Sequence, residues 1–128
     1  MIDHIGLSVA DYEKSKSFYS AALAPLGYQF IIEAPKEHTG GAGAGGFGVP
    51  PKPDFWIDGA GKPSPKLHVC FRADNRAAVD VFYKAAMAAG GKDNGPPGVR
   101  PHYHPNYYGA FVRDLDGHNI EACCHDPA

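Results

Sequence analysis

Residues 4–27 read HIGLSVADYEKSKSFYSAALAPLG, and residues 68–91 read HVCFRADNRAAVDVFYKAAMAAGG. The second stretch begins 64 residues after the first, and at that spacing Phe82-Tyr83 repeats Phe18-Tyr19. Half of the 128-residue chain is also 64 residues, so the sequence indicates two copies of one unit. Each copy begins with a histidine inside a strand-like run.

The first unit, about residues 1–62, predicts a strand, a helix and three further strands. Apolar residues alternate in the first strand, and Asp11 then follows as a helix N-cap. The glycine-rich residues 35–46 are predicted to be a flexible loop, and their G-x-G-x-x-G spacing lacks the strand and helix that a dinucleotide site needs. The predicted strands are residues 2–9, 28–34, 47–49 and 55–57, and the predicted helix is residues 12–26.

The second unit, about residues 63–128, repeats this β-α-β-β-β order. Asp116-Gly117 between two apolar runs predicts a hairpin turn. Neither unit can bury its helix and sheet alone, so we expect an α+β domain whose paired βαβββ modules form a cupped mixed sheet around a central cavity. The predicted strands are residues 66–73, 107–114 and 118–125, the helix is residues 76–89, and residues 94–106 are a proline-rich loop.

Composition narrows the class of protein. The net charge of −2 gives no reason to expect nucleic acid or an anionic membrane as a partner. No apolar run approaches the roughly 18 residues of a membrane span, and the first residues do not have the pattern of a signal peptide. We therefore expect a cytoplasmic protein in which Cys70, Cys123 and Cys124 are reduced thiols, with a redox or metal role for Cys123-Cys124 as the alternative.

The repeat also brings together candidate metal ligands. His4 and His68 are equivalent, and at the same spacing Glu121 aligns with Ile57 on the last strand of each unit. Histidine nitrogens and a carboxylate suit a divalent Fe, Mn, Zn or Ni ion, and three protein ligands leave positions open for substrate. The alternative is that each histidine is an ordinary hydrogen-bonded structural residue.

The chain resembles the vicinal oxygen chelate superfamily, which includes glyoxalase I, extradiol dioxygenases, bleomycin-resistance proteins and methylmalonyl-CoA epimerase. The resemblance is carried by residues 3–28, 67–74 and 107–122, and the last of these, YYGAFVRDLDGHNIEA, is the most specific. Its turn has Leu115 where family members commonly have proline. The resemblance implies paired βαβββ modules around a metal, a small-molecule substrate and a homodimer.

The resemblance further implies a site. His4, His68 and Glu121 match the family's metal ligands, whereas Ile57 stands where glyoxalase I has a fourth ligand. This departure argues against glyoxalase I itself, because that ligand also helps to move the substrate proton. Beside Glu121, the candidate catalytic residues are Tyr108 and His102, and the candidate substrate-binding residues are Phe55, Trp56, His104 and Tyr107.

Two functions are therefore expected. The first is a metal-dependent enzyme of the lyase or dioxygenase class, in which the ion polarises an oxygen-bearing substrate. The second is a metal-free protein that binds a drug or metabolite, as bleomycin-resistance proteins do. Three local alternatives stay open: His102 and His104 as a separate metal pair, Phe55 and Trp56 as core residues, and the two tyrosines as packing residues.

Overall fold

Two βαβββ units follow one another along the chain, as the repeat predicts. The computed structural model describes all 128 residues and confirms an α+β fold with two mixed four-stranded sheets. The first unit contains β1 (Ile5–Ser8), α1 (Tyr12–Leu23), β2 (Gln29–Glu33), β3 (Ala44–Gly48) and β4 (Phe55–Asp58). The second contains β5 (His68–Arg72), α2 (Arg76–Ala88), β6 (Lys92–Val99), β7 (Tyr108–Arg113) and β8 (Asn119–Cys124).

Both helices begin at side-chain caps. The Asp11 carboxylate accepts a hydrogen bond from the Lys14 amide at 3.0 Å, which confirms the predicted cap of α1. At α2 the Asn75 side chain accepts from the Ala78 amide at 2.8 Å. The buried stripe of α2 is Val79, Phe82 and Ala86, and Val81 lies outside it with 50% exposure. Neither helix has the length and apolar composition that a membrane crossing needs.

Each sheet pairs its first and last strands in parallel and its other strands antiparallel. The strand orders are β1-β4-β3-β2 and β5-β8-β7-β6, so β1 and β5 each lie at an edge. No backbone hydrogen bond joins β1 to β5, so the two sheets are not one hydrogen-bonded sheet. They share one hydrophobic core instead, in which the rings of Phe55 and Phe71, one from each sheet, lie 5.1 Å apart.

Two segments predicted to be loops contain strands. β3 begins at Ala44, inside the glycine-rich stretch. Glycine is needed in this strand because a side chain would collide with aromatic rings: a Cβ on Gly45 would lie 2.4 Å from the Phe30 ring. β6 occupies the start of the proline-rich stretch. Proline is tolerated there since β6 is an edge strand, and its pairing with β7 is interrupted around Gly95.

The hairpin between β7 and β8 fastens the second unit to the first. His118 is 1% exposed; its Nδ1 accepts from the Leu67 amide at 3.0 Å, so its Nε2 carries the proton and donates to the Ser8 carbonyl at 3.1 Å. The hydroxyl of Tyr19 on α1 donates to the Asp114 carboxylate across the same junction. The most family-specific motif of the sequence therefore joins the modules.

The 64-residue spacing does not extend to the last strands. Trp56 on β4 opposes Gly6 on β1, and Glu121 on β8 opposes Cys70, the equivalent of Gly6. The structural equivalent of Glu121 is thus Trp56, and the alignment with Ile57 was wrong by one residue. Gly46 on β3 pairs with Trp56 and Phe111 on β7 pairs with Glu121, so β3 and β7 are already 65 residues apart and the one-residue shift enters before β7.

Candidate metal centre

The open face of the second sheet carries a cluster of polar and sulfur-containing side chains. Strand alternation directs Val69 and Phe71 into the core. His68 and Cys70 on β5 therefore lie on the opposite face. Cys70 pairs with Glu121 across the β5–β8 ladder, which brings the carboxylate and then Cys123 to the same face.

Glu121 is the centre of this cluster. Its carboxylate is 2% exposed, and Oε1 lies 2.9 Å from Nε2 of His68. Oε2 accepts a hydrogen bond from the Tyr107 hydroxyl. Burial, together with this bond to the carboxylate, raises the pKa of Tyr107. Both carboxylate oxygens thus have partners, as a buried charge requires, while the His68 side chain stays 52% exposed.

Two thiols lie beside the carboxylate. The Sγ atoms of Cys70 and Cys123 are 3.3 Å apart, and one oxygen of Glu121 lies within 4.8 Å of both. The hydrogen bond from Cys70 lowers the pKa of Cys123 to about 6 and raises the pKa of Cys70. Cys124 instead belongs to the hydrophobic core. The alternative of a joint role for Cys123 and Cys124 is therefore corrected: the thiol beside Cys123 is that of Cys70.

His4 is not part of this cluster within one chain. It precedes β1, its side chain is 60% exposed, and its Nδ1 lies 2.8 Å from the carboxylate of its neighbour Asp3. The one group of three potential metal donors within 4.8 Å of each other is Cys70, Glu121 and Cys123. Of the three ligands implied by the resemblance, the structure brings together His68 and Glu121.

The candidate residues from the loop before β7 separate into two environments. Tyr107 reaches Glu121, whereas the Tyr108 hydroxyl donates to Asp80 of α2 at 2.6 Å and its ring lies under Arg76. The structure therefore places Tyr108 on the helix side of β7, away from the carboxylate.

The two loop histidines do not form a pair. His104 Nε2 lies 2.7 Å from Nδ1 of His125, and both of these rings border Tyr107. The His102 ring contacts the Tyr103 ring, with centroids 4.3 Å apart and ring planes at 58°. His104 is therefore connected to the cluster through Tyr107, whereas His102 contacts its neighbour Tyr103 in the loop.

Phe55 and Trp56 point to opposite faces of β4. Phe55 is 1% exposed and packs against Tyr19 and Phe71. Trp56 is half-buried on the open face of the first sheet, over Gly46. Phe55 is therefore a core residue, and its edge also lines the cleft described next. Trp56 is partly exposed and could contact a ligand at the surface.

A cleft of about 370 Å³ lies between the edges of the two sheets. This volume is within the range of small-molecule sites, roughly 300–1,000 Å³. One side is formed by residues around β1 and β4, including Ile5 and Phe55, and the other by β5. His68 and Cys70 both face the cleft, so a ligand in it would meet the cluster.

The comparison with protein families agrees with this architecture. Residues 1–122 match the model of the Glyoxalase/Bleomycin resistance protein/Dioxygenase superfamily. The chain belongs to this superfamily. No protein of curated function matches it.

Solved structures of the superfamily share the fold. A glyoxalase/bleomycin resistance protein from Albidiferax ferrireducens T118 is 30% identical, with a TM-score of 0.77 over 96% of this chain and 97% of that one. A glyoxalase/bleomycin resistance protein/dioxygenase family enzyme from Burkholderia phytofirmans PsJN is 17% identical, with a TM-score of 0.71 over 98% of both chains. Lactoylglutathione lyase from Agrobacterium tumefaciens is 18% identical, with a TM-score of 0.67 over 97% and 92%.

The pair of thiols beside Glu121 was not predicted from the sequence of this superfamily member. Alternation in residues 66–73 already places Cys70 on the face of His68, which was the available signal. Cys123 lies two residues after Glu121 and hence on the same face. What could not be predicted is that the two sulfur atoms would come within 3.3 Å, because this depends on the register between β5 and β8.

Proposed function

We propose that this chain is a metal-dependent enzyme of the superfamily that acts on an oxygen-bearing small molecule. The observation that carries the proposal is the 2.9 Å contact between His68 Nε2 and the buried Glu121 Oε1 beside a cleft of ligand size. A divalent ion held there would supply Lewis-acid polarisation of a substrate oxygen.

The residues present fit such an ion. Metal–nitrogen and metal–oxygen bonds of about 2.0–2.2 Å place neighbouring donor atoms about 3.0 Å apart in an octahedral site and about 3.4 Å apart in a tetrahedral one. The observed His68–Glu121 distance is close to the octahedral value. Tyr107 holds the other carboxylate oxygen, which fixes the orientation of Glu121. Arg72 lies on the same side of the cleft as His68, and its guanidinium is available to bind an anionic group of the substrate.

We place His4 of a second copy as the third ligand. Three features support this: His4 is exposed, it occupies the position equivalent to His68, and it does not reach Glu121 within its own chain. A two-fold dimer presents the same surface of each copy to the other. The proposed enzyme is accordingly a homodimer with two equivalent sites.

Metal analysis tests the proposal directly. Protein purified without chelator should retain close to one transition-metal ion per chain, and His68→Ala should lose it while remaining folded. If less than about 0.1 metal ion per chain is retained, and none is taken up on addition of Fe, Mn, Zn or Ni, the proposal of a metal-dependent enzyme is refuted. Unchanged metal content in His68→Ala would show that the ligands are misassigned.

Mixing two defective variants tests the origin of His4. If the site lies between copies, a heterodimer of His4→Ala with His68→Ala contains one site that has both histidines, so the mixture should recover part of the metal lost by each variant alone. If the site lies within one chain, every site in the mixture lacks one histidine and nothing is recovered.

A metal-free binding protein is the second candidate. The observation in its favour is that a single chain already contains the cleft but not the three-ligand set. This protein would bind an apolar or aromatic compound through Ile5, Tyr28 and the edge of Phe55. Binding of such a compound to chelator-treated protein, unaffected by His68→Ala, would favour this candidate.

A further inference from the structure

Cys70, Cys123 and Glu121 form a donor set that the proposed His68–Glu121 centre does not use in full. Cys70 opposes Glu121 across the β5–β8 ladder, and Cys123 opposes Arg72 two residues further along. The two cysteines are therefore diagonal neighbours on adjacent parallel strands. Their sulfur atoms are 3.3 Å apart, and a Glu121 oxygen lies within 4.8 Å of each.

The sulfur–sulfur distance is close to the one that a small divalent ion needs. Zn–S bonds of about 2.3 Å hold two sulfur atoms about 3.8 Å apart in a tetrahedral site. The sulfur atoms therefore have to separate by about 0.5 Å on binding. Cys70 is exposed and can make this adjustment, whereas Cys123 and Glu121 are buried and held by β8.

The surroundings hold the carboxylate in place. His68 and Tyr107 contact one oxygen each, so the orientation of Glu121 is set before any ion arrives. Cys70 lines the cleft, so an ion or a further ligand would reach the three donors from that side.

We infer that Cys70, Cys123 and Glu121 bind a thiophilic divalent cation of the zinc class. Sulfur ligands select zinc and related ions over magnesium, calcium and manganese, which prefer oxygen. Each thiol gives up its proton when its Zn–S bond forms, and no electron is transferred. The inference shares Glu121 with the proposed function but needs neither His4 nor catalysis.

Cobalt(II) is a suitable probe because cobalt–thiolate bonds absorb strongly in the near ultraviolet. The full reduced chain should show this charge-transfer absorption on addition of cobalt(II), and zinc(II) should abolish it by displacement. Cys70→Ser should remove most of the absorption and weaken cobalt affinity at least about tenfold. Because Cys70 is exposed, this variant should fold normally, which circular dichroism would check.

Cys124→Ser is the matched control, since Cys124 adjoins Cys123 but lies in the core. It should keep the absorption, and so should His4→Ala. No thiolate absorption in a chain whose thiols titrate as free, or loss of the signal in Cys124→Ser but not in Cys70→Ser, would overturn the inference.

The two proposals fail separately. If cobalt binds with only weak visible bands and His68→Ala abolishes that binding, the histidine–carboxylate centre is supported and the thiolate site is refuted. A thiolate band that survives both His4→Ala and His68→Ala would establish the thiolate site, and the histidine centre would still be tested by the metal recovered on mixing those two variants.

Discussion

Trp56 and Glu121 occupy the same position in the two modules. Each opposes the middle of the first strand of its own sheet, Trp56 across from Gly6 and Glu121 across from Cys70. The second module thus carries a carboxylate and a thiol where the first carries an indole ring and a glycine. At this position, therefore, only the second sheet carries a carboxylate opposite a thiol.

Alanine substitutions at Phe55 and Trp56 should have different effects on stability. Phe55→Ala removes a ring from the shared core and should cost about 3–5 kcal/mol of unfolding free energy. Trp56→Ala removes a half-buried ring from the open face and should cost only about 1 kcal/mol. Urea denaturation of both variants measures the contrast, and equal losses would contradict the assignment of the two faces.

The repeat was sufficient to predict the fold because both helices and the first strand of each unit keep the 64-residue spacing. It was insufficient for the last strands, where register depends on the length of irregular segments. Glu121 was therefore aligned with Ile57 although it corresponds to Trp56. The same limit explains β6, whose prolines indicate a loop unless the strand is known to lie at an edge.

Residues of the candidate site were predicted unevenly for a related reason. The repeat and the resemblance brought His68 and Glu121 together as candidate ligands. Strand alternation placed Cys70 on the face of His68, because it depends on neighbouring residues of one strand alone. The sequence could not show which of Tyr107 and Tyr108 contacts Glu121. Tyr107 precedes β7, and the residue at which that strand begins decides the face on which each ring lies. His118, which joins the modules, gave no signal because both of its partners are distant backbone atoms.

Phenylalanine substitutions at the adjacent tyrosines should separate metal binding from packing. Tyr107→Phe removes the hydrogen bond to Glu121 and should weaken metal affinity about 10–100-fold. Tyr108→Phe removes a bond to Asp80 on α2 and should leave affinity unchanged while it lowers stability slightly. Titration with cobalt(II) or zinc(II) measures both affinities. Equal affinities in the two variants would mean that Tyr107 does not position the carboxylate.

The junction between the modules should depend on Tyr19. Tyr19→Phe leaves one oxygen of the buried Asp114 carboxylate without its partner, so the expected loss of unfolding free energy is about 1–3 kcal/mol. Tyr12→Phe is the control, because the Tyr12 hydroxyl donates to Glu33, which is exposed and can turn to water. In thermal or urea denaturation, Tyr19→Phe should be clearly less stable than Tyr12→Phe. A reversed order would mean that the junction contributes little to the stability of the fold.

Stability should fall at alkaline pH because of Tyr28. Burial, reinforced by the hydrogen bond to Asp54, raises the pKa of Tyr28 from 10.0 to about 12. Between these values the unfolded chain has released the proton that the folded chain keeps. Unfolding therefore becomes more favourable as pH rises. The contribution of Tyr28 is fully present below pH 10 and disappears as pH passes 12.

Tyr28→Phe removes this titration and should flatten the decline. Urea midpoints measured below pH 10 and at intervals up to pH 12 should fall less steeply in the variant than in the wild-type chain. A residual slope is expected, since burial beside Asp114 raises the pKa of Tyr19 as well. Parallel curves for the two proteins would show that Tyr28 ionises equally in the folded and unfolded states, and that its contact with Asp54 does not persist in solution.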